Sequence, residues 1–299
     1  MFEDIVGNPK VKEILTKTIK VKKTSHSYMF IGIEWICKKL FAKELAKAIL
    51  CLNDGEYCDN CKSCIEFSSD NNPDFIYIEP EETKIKIDQI RNMQLKVAEK
   101  PIISNNKVYI IDDADTMTQE AQNCLLKTLE EPPEYVTIIL IGSSENNFLT
   151  TIKSRCTKIY FEKISNEEIK QYLKKEFETD DIDEELLEIA DGSIKRAIEV
   201  KENRETYRML EKIMEDIDNS DIIDVLNAAS ELYKSKEIIF TILENINIIA
   251  MKKARTNAKY ANCIKVVEDT KKRLKANSNY DMCIDNLLFN MWREVNWKI

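Results

Sequence analysis

The order of apolar and polar positions divides the chain into a first part that contains strands and a second part that does not. Val108–Ile111 and Val136–Ile141 are unbroken apolar runs. They lack the alternation of a half-buried strand and fit strands covered on both faces, as in a parallel sheet between helices. His26–Gly32, Phe75–Glu79 and Cys156–Phe161 read as three further strands. Helical spacing fills the intervals over Pro9–Val21, Lys38–Leu50, Ile87–Val97 and Thr118–Glu130, the last stopped by Pro132-Pro133. Val11, Ile14, Leu15 and Ile19 line one face of the first helix, with Asn8 as its expected N-cap and Pro9 at its first position.

Past Phe161 the strand signals end. Asn166–Phe177 and Asp183–Ala190 read as helices, followed by a turn at Gly192. From about Glu205 the pattern is helical throughout: Tyr207–Ile217, Ile222–Lys234, Lys236–Asn257, Ala261–Lys275 and Asp281–Trp297. Ile238, Ile239, Ile242, Ile246 and Ile249 mark a core or partner face, and Trp292 and Trp297 are read as core. A length of 299 residues accommodates two or three domains, and only five Gly and six Pro favour helices over an all-β fold. No short repeat or low-complexity linker interrupts the pattern.

Composition narrows the function. No apolar run approaches the ~20 residues that cross a bilayer. No signal peptide precedes the first periodic segment, so a cytosolic protein without membrane contact is expected. The net charge of −9 makes strong DNA binding by this chain alone unexpected. Charge is uneven, however. Glu178–Asp191 carries eight acids and no base, whereas Lys252–Lys275 is strongly basic. Both segments read either as solvated helix faces or as patches that meet an oppositely charged neighbour.

Nine cysteines in a cytosolic chain argue against disulfides. Four of them form Cys51-x6-Cys58-x2-Cys61-x2-Cys64. Four thiolates with two C-x-x-C steps fit a closed tetrahedral zinc of structural type, with no ligand position left for water. Asn53, Asp54 and Gly55 supply the turn that returns Cys51 to the others. Asp54, Glu56, Asp59 and Glu66 surround these ligands, against Lys62, which does not suit a nucleic-acid reader. His26, the single histidine, has no partner set and is read as structural.

The organising stretch is 107–155. Its first strand ends in Asp112 and Asp113, at the carboxyl end where open α/β sheets bind ligands. Those acids either hold the magnesium of a nucleotide or cap the next helix. Ile-Asp-Asp-Ala-Asp115, then Ala121-Gln-Asn-Cys-Leu-Leu-Lys-Thr-Leu-Glu-Glu-Pro-Pro133, then Ile139-Leu-Ile-Gly142, then Ser154-Arg155-Cys156 closely resemble the bacterial DNA polymerase clamp-loader ATPases of the AAA+ class. The resemblance covers essentially the whole chain and is strongest over residues 107–156.

The resemblance implies an α/β AAA+ domain over residues 1–162 with an inserted zinc module at 51–64. It further implies a helical lid over 163–204 and an all-α collar over 205–299. Asp112 and Asp113 then correspond to the Walker B element, Ser143–Asn146 to a polar γ-phosphate sensor, and Lys195 or Arg196 to a second sensor. Phe2–Pro9 would cup an adenine. Arg155 corresponds to an arginine finger, supplied in trans to a neighbour's nucleotide. Gly32-Ile-Glu-Trp-Ile-Cys-Lys-Lys39 occupies the place of the phosphate loop G-x-x-x-x-G-K-[ST]. Gly32 and Lys38 match it, but Cys37 replaces the second glycine and Lys39 the magnesium-binding hydroxyl. Glu34 adds an anion. ATP and magnesium are therefore expected not to be turned over here.

Within the family this combination implies a non-hydrolysing stator. Its partners would be gamma/tau-type motor subunits and the delta subunit and, through the complex, the sliding clamp and primed DNA. Two alternatives stay open: an active motor-type ATPase with an unusual loop, and a zinc-dependent DNA-binding module that uses the basic C-terminal helices.

Overall fold

A computed structural model of the protein describes every residue except Glu34, Trp35, Asp54, residues 179–181, Asp183, Ala228 and residues 297–299. The described chain forms two compact units. One comprises Met1–Tyr172 with Gly192–Ile194, and the other Leu173–Asp191 with Lys195–Ile299.

The first unit alternates strands and helices: α1 Pro9–Lys20, β1 Ser27–Ile31, α2 Lys38–Leu50, α3 Lys62–Ser68, β2 Phe75–Ile78, α4 Ile87–Val97, β3 Lys107–Ile111, α5 Gln119–Glu130, β4 Val136–Gly142, α6 Thr150–Lys153, β5 Thr157–Tyr160 and α7 Asn166–Phe177, whose last turn belongs to the second unit. The strands make one sheet in the order β2-β3-β4-β1-β5, and every pairing is parallel. The unbroken apolar runs are explained by helices on both faces. Tyr28, Phe30, Val108, Ile110, Ile139 and Ile141 point to a core shared with Leu15 of α1 and Phe41, Leu45 and Ile49 of α2. Met29, Ile31, Tyr109, Ile111, Ile138 and Leu140 point to the other face, against Ile90 and Met93 of α4 and Leu125 and Leu129 of α5. Successive strand residues thus serve opposite cores, and neither face has room for a polar alternate.

Long-range polar contacts fix the connections. Both carboxylate oxygens of fully buried Asp74 accept backbone N–H bonds, at 2.7 Å each, from Ile102, Ile103 and Ser104. These charge-assisted bonds fasten the approach to β3. Ser63 on α3 meets Ser104 at 2.8 Å, and Asn72 donates to Ser63 Oγ at 2.9 Å, which ties the cysteine-bearing insertion to the sheet.

The second unit continues with α8 Glu184–Ala190, α9 Ile194–Glu202, α10 Arg204–Asp216, α11 Ile222–Asn227, α12 Ala229–Lys234, α13 Ile239–Ala254, α14 Tyr260–Lys275 and α15 Tyr280–Asn296, although Ile194 itself belongs to the first unit. α14 packs against both α13 and α15. Ile239, Ile242 and Ile246 are buried there, with Val267, Ile284, Leu287 and Met291. Trp292 is half-buried and its indole N–H donates to Ser220 O at 2.9 Å, while Trp297 lies outside the described residues. Among the described residues no helix is long and apolar enough to cross a membrane.

Several local expectations need correction. Asn8 precedes α1 in a left-handed conformation and makes no side-chain cap. Its amide instead brackets Glu162, donating to the carbonyl at 3.2 Å and accepting from the N–H at 2.8 Å. A bond across 154 residues has displaced the local cap. Ile14 is 49% exposed, because the buried stripe of α1 is Val11, Leu15 and Ile19. A short 3₁₀ turn, Lys236–Ile238, precedes α13, where one helix from Lys236 is expected.

Candidate functional site

The loops after β1, β3 and β4 gather at the carboxyl edge of the sheet, where the order places β1 beside β4. Gly32 leaves β1 and Lys38 begins α2. Between them Cys37 is held at φ 67°, a left-handed conformation that costs a non-glycine residue on the order of 1 kcal/mol. Burial pushes the Cys37 thiol up, against the pull of Lys12. The Lys38 side chain is buried and turned back on its own loop, donating to the carbonyls of Gly32 and Ile33 at 2.6 Å each. Glu34 lies outside the described residues.

Asp112 follows β3 at the same edge. Its Oδ2 lies 3.6 Å from the ammonium of Lys39 and accepts the hydroxyl of Tyr77. Its Oδ1 accepts the Asp113 N–H at 3.1 Å. Burial, then the hydrogen bond to Asp112, pushes the Tyr77 hydroxyl up from its ordinary value. The side chains that meet Asp112 Oδ2 are thus a lysine and a phenol, a set that does not fit a magnesium-nucleotide. The loop after β4 is engaged as well. Asp115 accepts from Ser143 Oγ at 2.6 Å and from the N–H groups of Ser143 and Ser144, while Glu145 pairs with Lys158 and accepts the Tyr160 hydroxyl at 2.7 Å.

Arg155 sits at the opposite edge. Its carbonyl accepts from Ser27 Oγ at 2.7 Å, and the register Tyr28↔Thr157 puts it beside the amino end of β1. Five strand residues at about 3.3 Å each separate that end from Gly32, roughly 16 Å. The guanidinium is one-third exposed, with Nη2 2.6 Å from Glu130 Oε1 and Nη1 2.8 Å from Thr151 O. An arginine so placed does not reach the edge of its own sheet where Gly32, Lys38 and Asp112 gather.

Cys51, Cys58, Cys61 and Cys64 come together with all Sγ atoms within 4.8 Å of one another. The 3.6 Å and 3.9 Å separations of Cys51 from Cys58 and Cys61 bracket the ~3.8 Å edge of a tetrahedron with metal–sulfur bonds of about 2.3 Å. The N–H groups of Cys61 and Cys64 point at Cys58 and Cys61 sulfur at 3.4 Å. Donation from the Asn60 N–H lowers the Cys58 thiol to about 6, whereas burial raises Cys51 and raises Cys64 to about 12. Gly55 takes φ 93° in the returning turn, and Asp54 lies outside the described residues. The four donors fit one ion.

A sequence profile of the family described as "DNA polymerase III, delta subunit" matches residues 7–165, more than half of the chain. The chain belongs to this DNA polymerase III clamp-loader family. It is 38% identical over 173 residues to the DNA polymerase III subunit gamma/tau of Mycoplasma pneumoniae, covering 58% of this chain and 25% of that protein. It is 36% identical over 166 residues to the DNA polymerase III subunit delta' of Bacillus subtilis, covering 55% of this chain and 50% of that protein. The chain therefore spans between a quarter and a half of the length of these relatives. A DNA polymerase III gamma subunit-related protein of Thermotoga maritima has the same fold, with TM-score 0.52 and 21% identity over 94% of this chain and 99% of that one.

For a clamp-loader chain, the sequence-expected residues divide cleanly. Gly32, Lys38, Asp112 and Asp113 converge at one edge, Arg155 stands at the other, and the four cysteines make a separate cluster. Tyr77 and Glu130, which hold Asp112 and Arg155, were not anticipated. Strand parity could have found the first. Tyr77 pairs with Ile110 across β2 and β3, so it shares a face with Asp112 two residues on.

Proposed function

We propose that this chain is the delta-prime, or stator, subunit of the bacterial DNA polymerase III clamp loader, with no ATPase activity of its own. Arg155 would complete the ATP site of an adjacent gamma/tau-type motor subunit. The carrying observation is the separation of Arg155 from its own damaged loop, on opposite edges of one sheet. A guanidinium is suited to the role because it stays charged and presents a planar set of donors. Cys51, Cys58, Cys61 and Cys64 would hold one structural zinc ion. In this reading 1–162 is the AAA+ domain, 163–204 the lid and 205–299 the collar. The delta subunit, the sliding clamp and primed DNA are met in the cytoplasm through the complex.

Direct DNA binding by the basic helices receives less support. Within the second unit Lys252 pairs with Glu188, Lys271 with Glu244 and Glu268, and Lys272 with Asp269, while Lys253 and Lys259 donate to backbone carbonyls. The test is a clamp loader reconstituted with Arg155→Ala. Arginine fingers contribute roughly 10³–10⁵ in rate at the site they serve. DNA-stimulated ATP hydrolysis and clamp loading should therefore fall with assembly intact, and Arg155→Lys should restore little. An unchanged clamp-loading rate at saturating ATP refutes the proposal.

A further inference from the structure

Lys39 replaces the hydroxyl that a phosphate loop offers to magnesium, and its ammonium lies 3.6 Å from the acid that would share that metal. The same ammonium stands 4.3 Å from the centroid of the Tyr77 ring, whose hydroxyl donates to the same Asp112 oxygen. A cation and a phenol thus converge on one carboxylate oxygen, with the Asp112 side chain 19% and the Lys39 side chain 47% exposed. Two lysines in the first turn of α2, with no acid there, oppose the helix macrodipole. Loop carbonyls compensate Lys38, and Asp112 compensates Lys39.

We propose that Lys39 is a built-in cation of this site, standing against Asp112 where a divalent metal would have to bind. The inference deepens the reading of the chain as a non-hydrolysing subunit and rests on it. It goes further in naming what closes the site. Missing ligands alone leave a weak metal site, whereas a resident ammonium neutralises the acid and repels the incoming ion. Cation–π contact with Tyr77 keeps the ammonium in place. Asp112 then stays paired whatever the ATP concentration, and a nucleotide has no differential contact with which to shift it.

The experiment uses the full zinc-loaded chain and a fluorescent ATP analogue, titrated by anisotropy with and without magnesium. Four proteins are compared: the wild type, Lys39→Thr, Lys39→Thr combined with Cys37→Gly, and Lys39→Arg as the charge-retaining control. Circular dichroism verifies that each is folded. The wild type and Lys39→Arg should show no magnesium-dependent binding. Lys39→Thr should gain at least tenfold in magnesium-dependent affinity, and the double variant more. If both threonine variants are folded and bind no better than Lys39→Arg, the lysine is not the closing element, and the stator reading survives. If the wild type itself binds and hydrolyses magnesium-ATP, the stator reading falls with it.

Discussion

Gly32 matches the phosphate-loop pattern, yet its surroundings give it a different task. A Cβ added there would lie 2.7 Å from Ile36 Cδ1, 2.8 Å from the Phe161 carbonyl oxygen and 2.9 Å from Phe161 Cβ. The Ile36 methyl can rotate at some cost in packing, but the carbonyl cannot. Phe161 N–H donates to Ile31 O at 2.7 Å, and the Phe161 ring packs on Phe30 and Phe41 with centroids 5.2 and 5.1 Å away. Gly32→Ala must therefore shift the end of β5 or the aromatic cluster.

Overpacking a tight core costs about 1–3 kcal/mol, and rigid backbone places this case in the upper half of that range. For domains of this size about 2–4 °C of Tm accompanies each kcal/mol, so a fall of roughly 4–12 °C is expected from the variant. Calorimetry of the full chain measures it, and urea unfolding tests whether the m-value is preserved. An unchanged Tm would refute the packing role and return Gly32 to the phosphates as its reason for being there.

Two further outcomes are expected. Metal analysis of protein purified without chelator should find about one zinc per chain, and Cys58→Ser should lose it and melt lower; absence of metal from the wild type, with four freely reactive thiols, would refute the site. Glu211 is a pH probe of the second unit, because burial, followed by hydrogen bonding to Glu185, raises its carboxyl from 4.5 to about 7. The folded state binds its proton more tightly, so this contribution favours folding at low pH and is lost as pH rises from 4.5 towards 7. Glu211→Gln should flatten the fall in Tm across that window and raise Tm at pH 8, whereas an unaltered pH profile would mean that the carboxyl is not perturbed.

The elements were legible where one periodicity served one environment. Val108–Ile111 announced a strand buried on both faces because no polar residue fits either core. The four cysteines were legible because ligand spacing is itself local. Asp74 was not, since its partners lie 28 to 30 residues away, and in sequence Pro73-Asp74 reads as a strand entry. Asn8 misled for the same reason: a capping residue type in a capping position is held by Glu162 instead. Tertiary contacts also decided Lys39. In sequence it reads only as a lost hydroxyl, and its pairing with Asp112 needs the registry of β2, β3 and α2.

Three of the four residues that match a nucleotide site are explained without a nucleotide. Gly32 makes room for Phe161, Lys38 satisfies two loop carbonyls, and Asp112 holds Lys39 and Tyr77. Their presence is accordingly weak ground for ATP turnover by this chain. Arg155 differs. Its backbone is fixed by Ser27, but among the described residues its guanidinium meets Glu130, Thr151 and Ser154, at a partly exposed edge. An exposed ion pair of this kind contributes at most about 1 kcal/mol, so folding alone gives little reason for an arginine there. Where the loop residues are accounted for by the fold, the guanidinium of Arg155 is left to the role proposed for it in a neighbour's site, which Arg155→Ala tests.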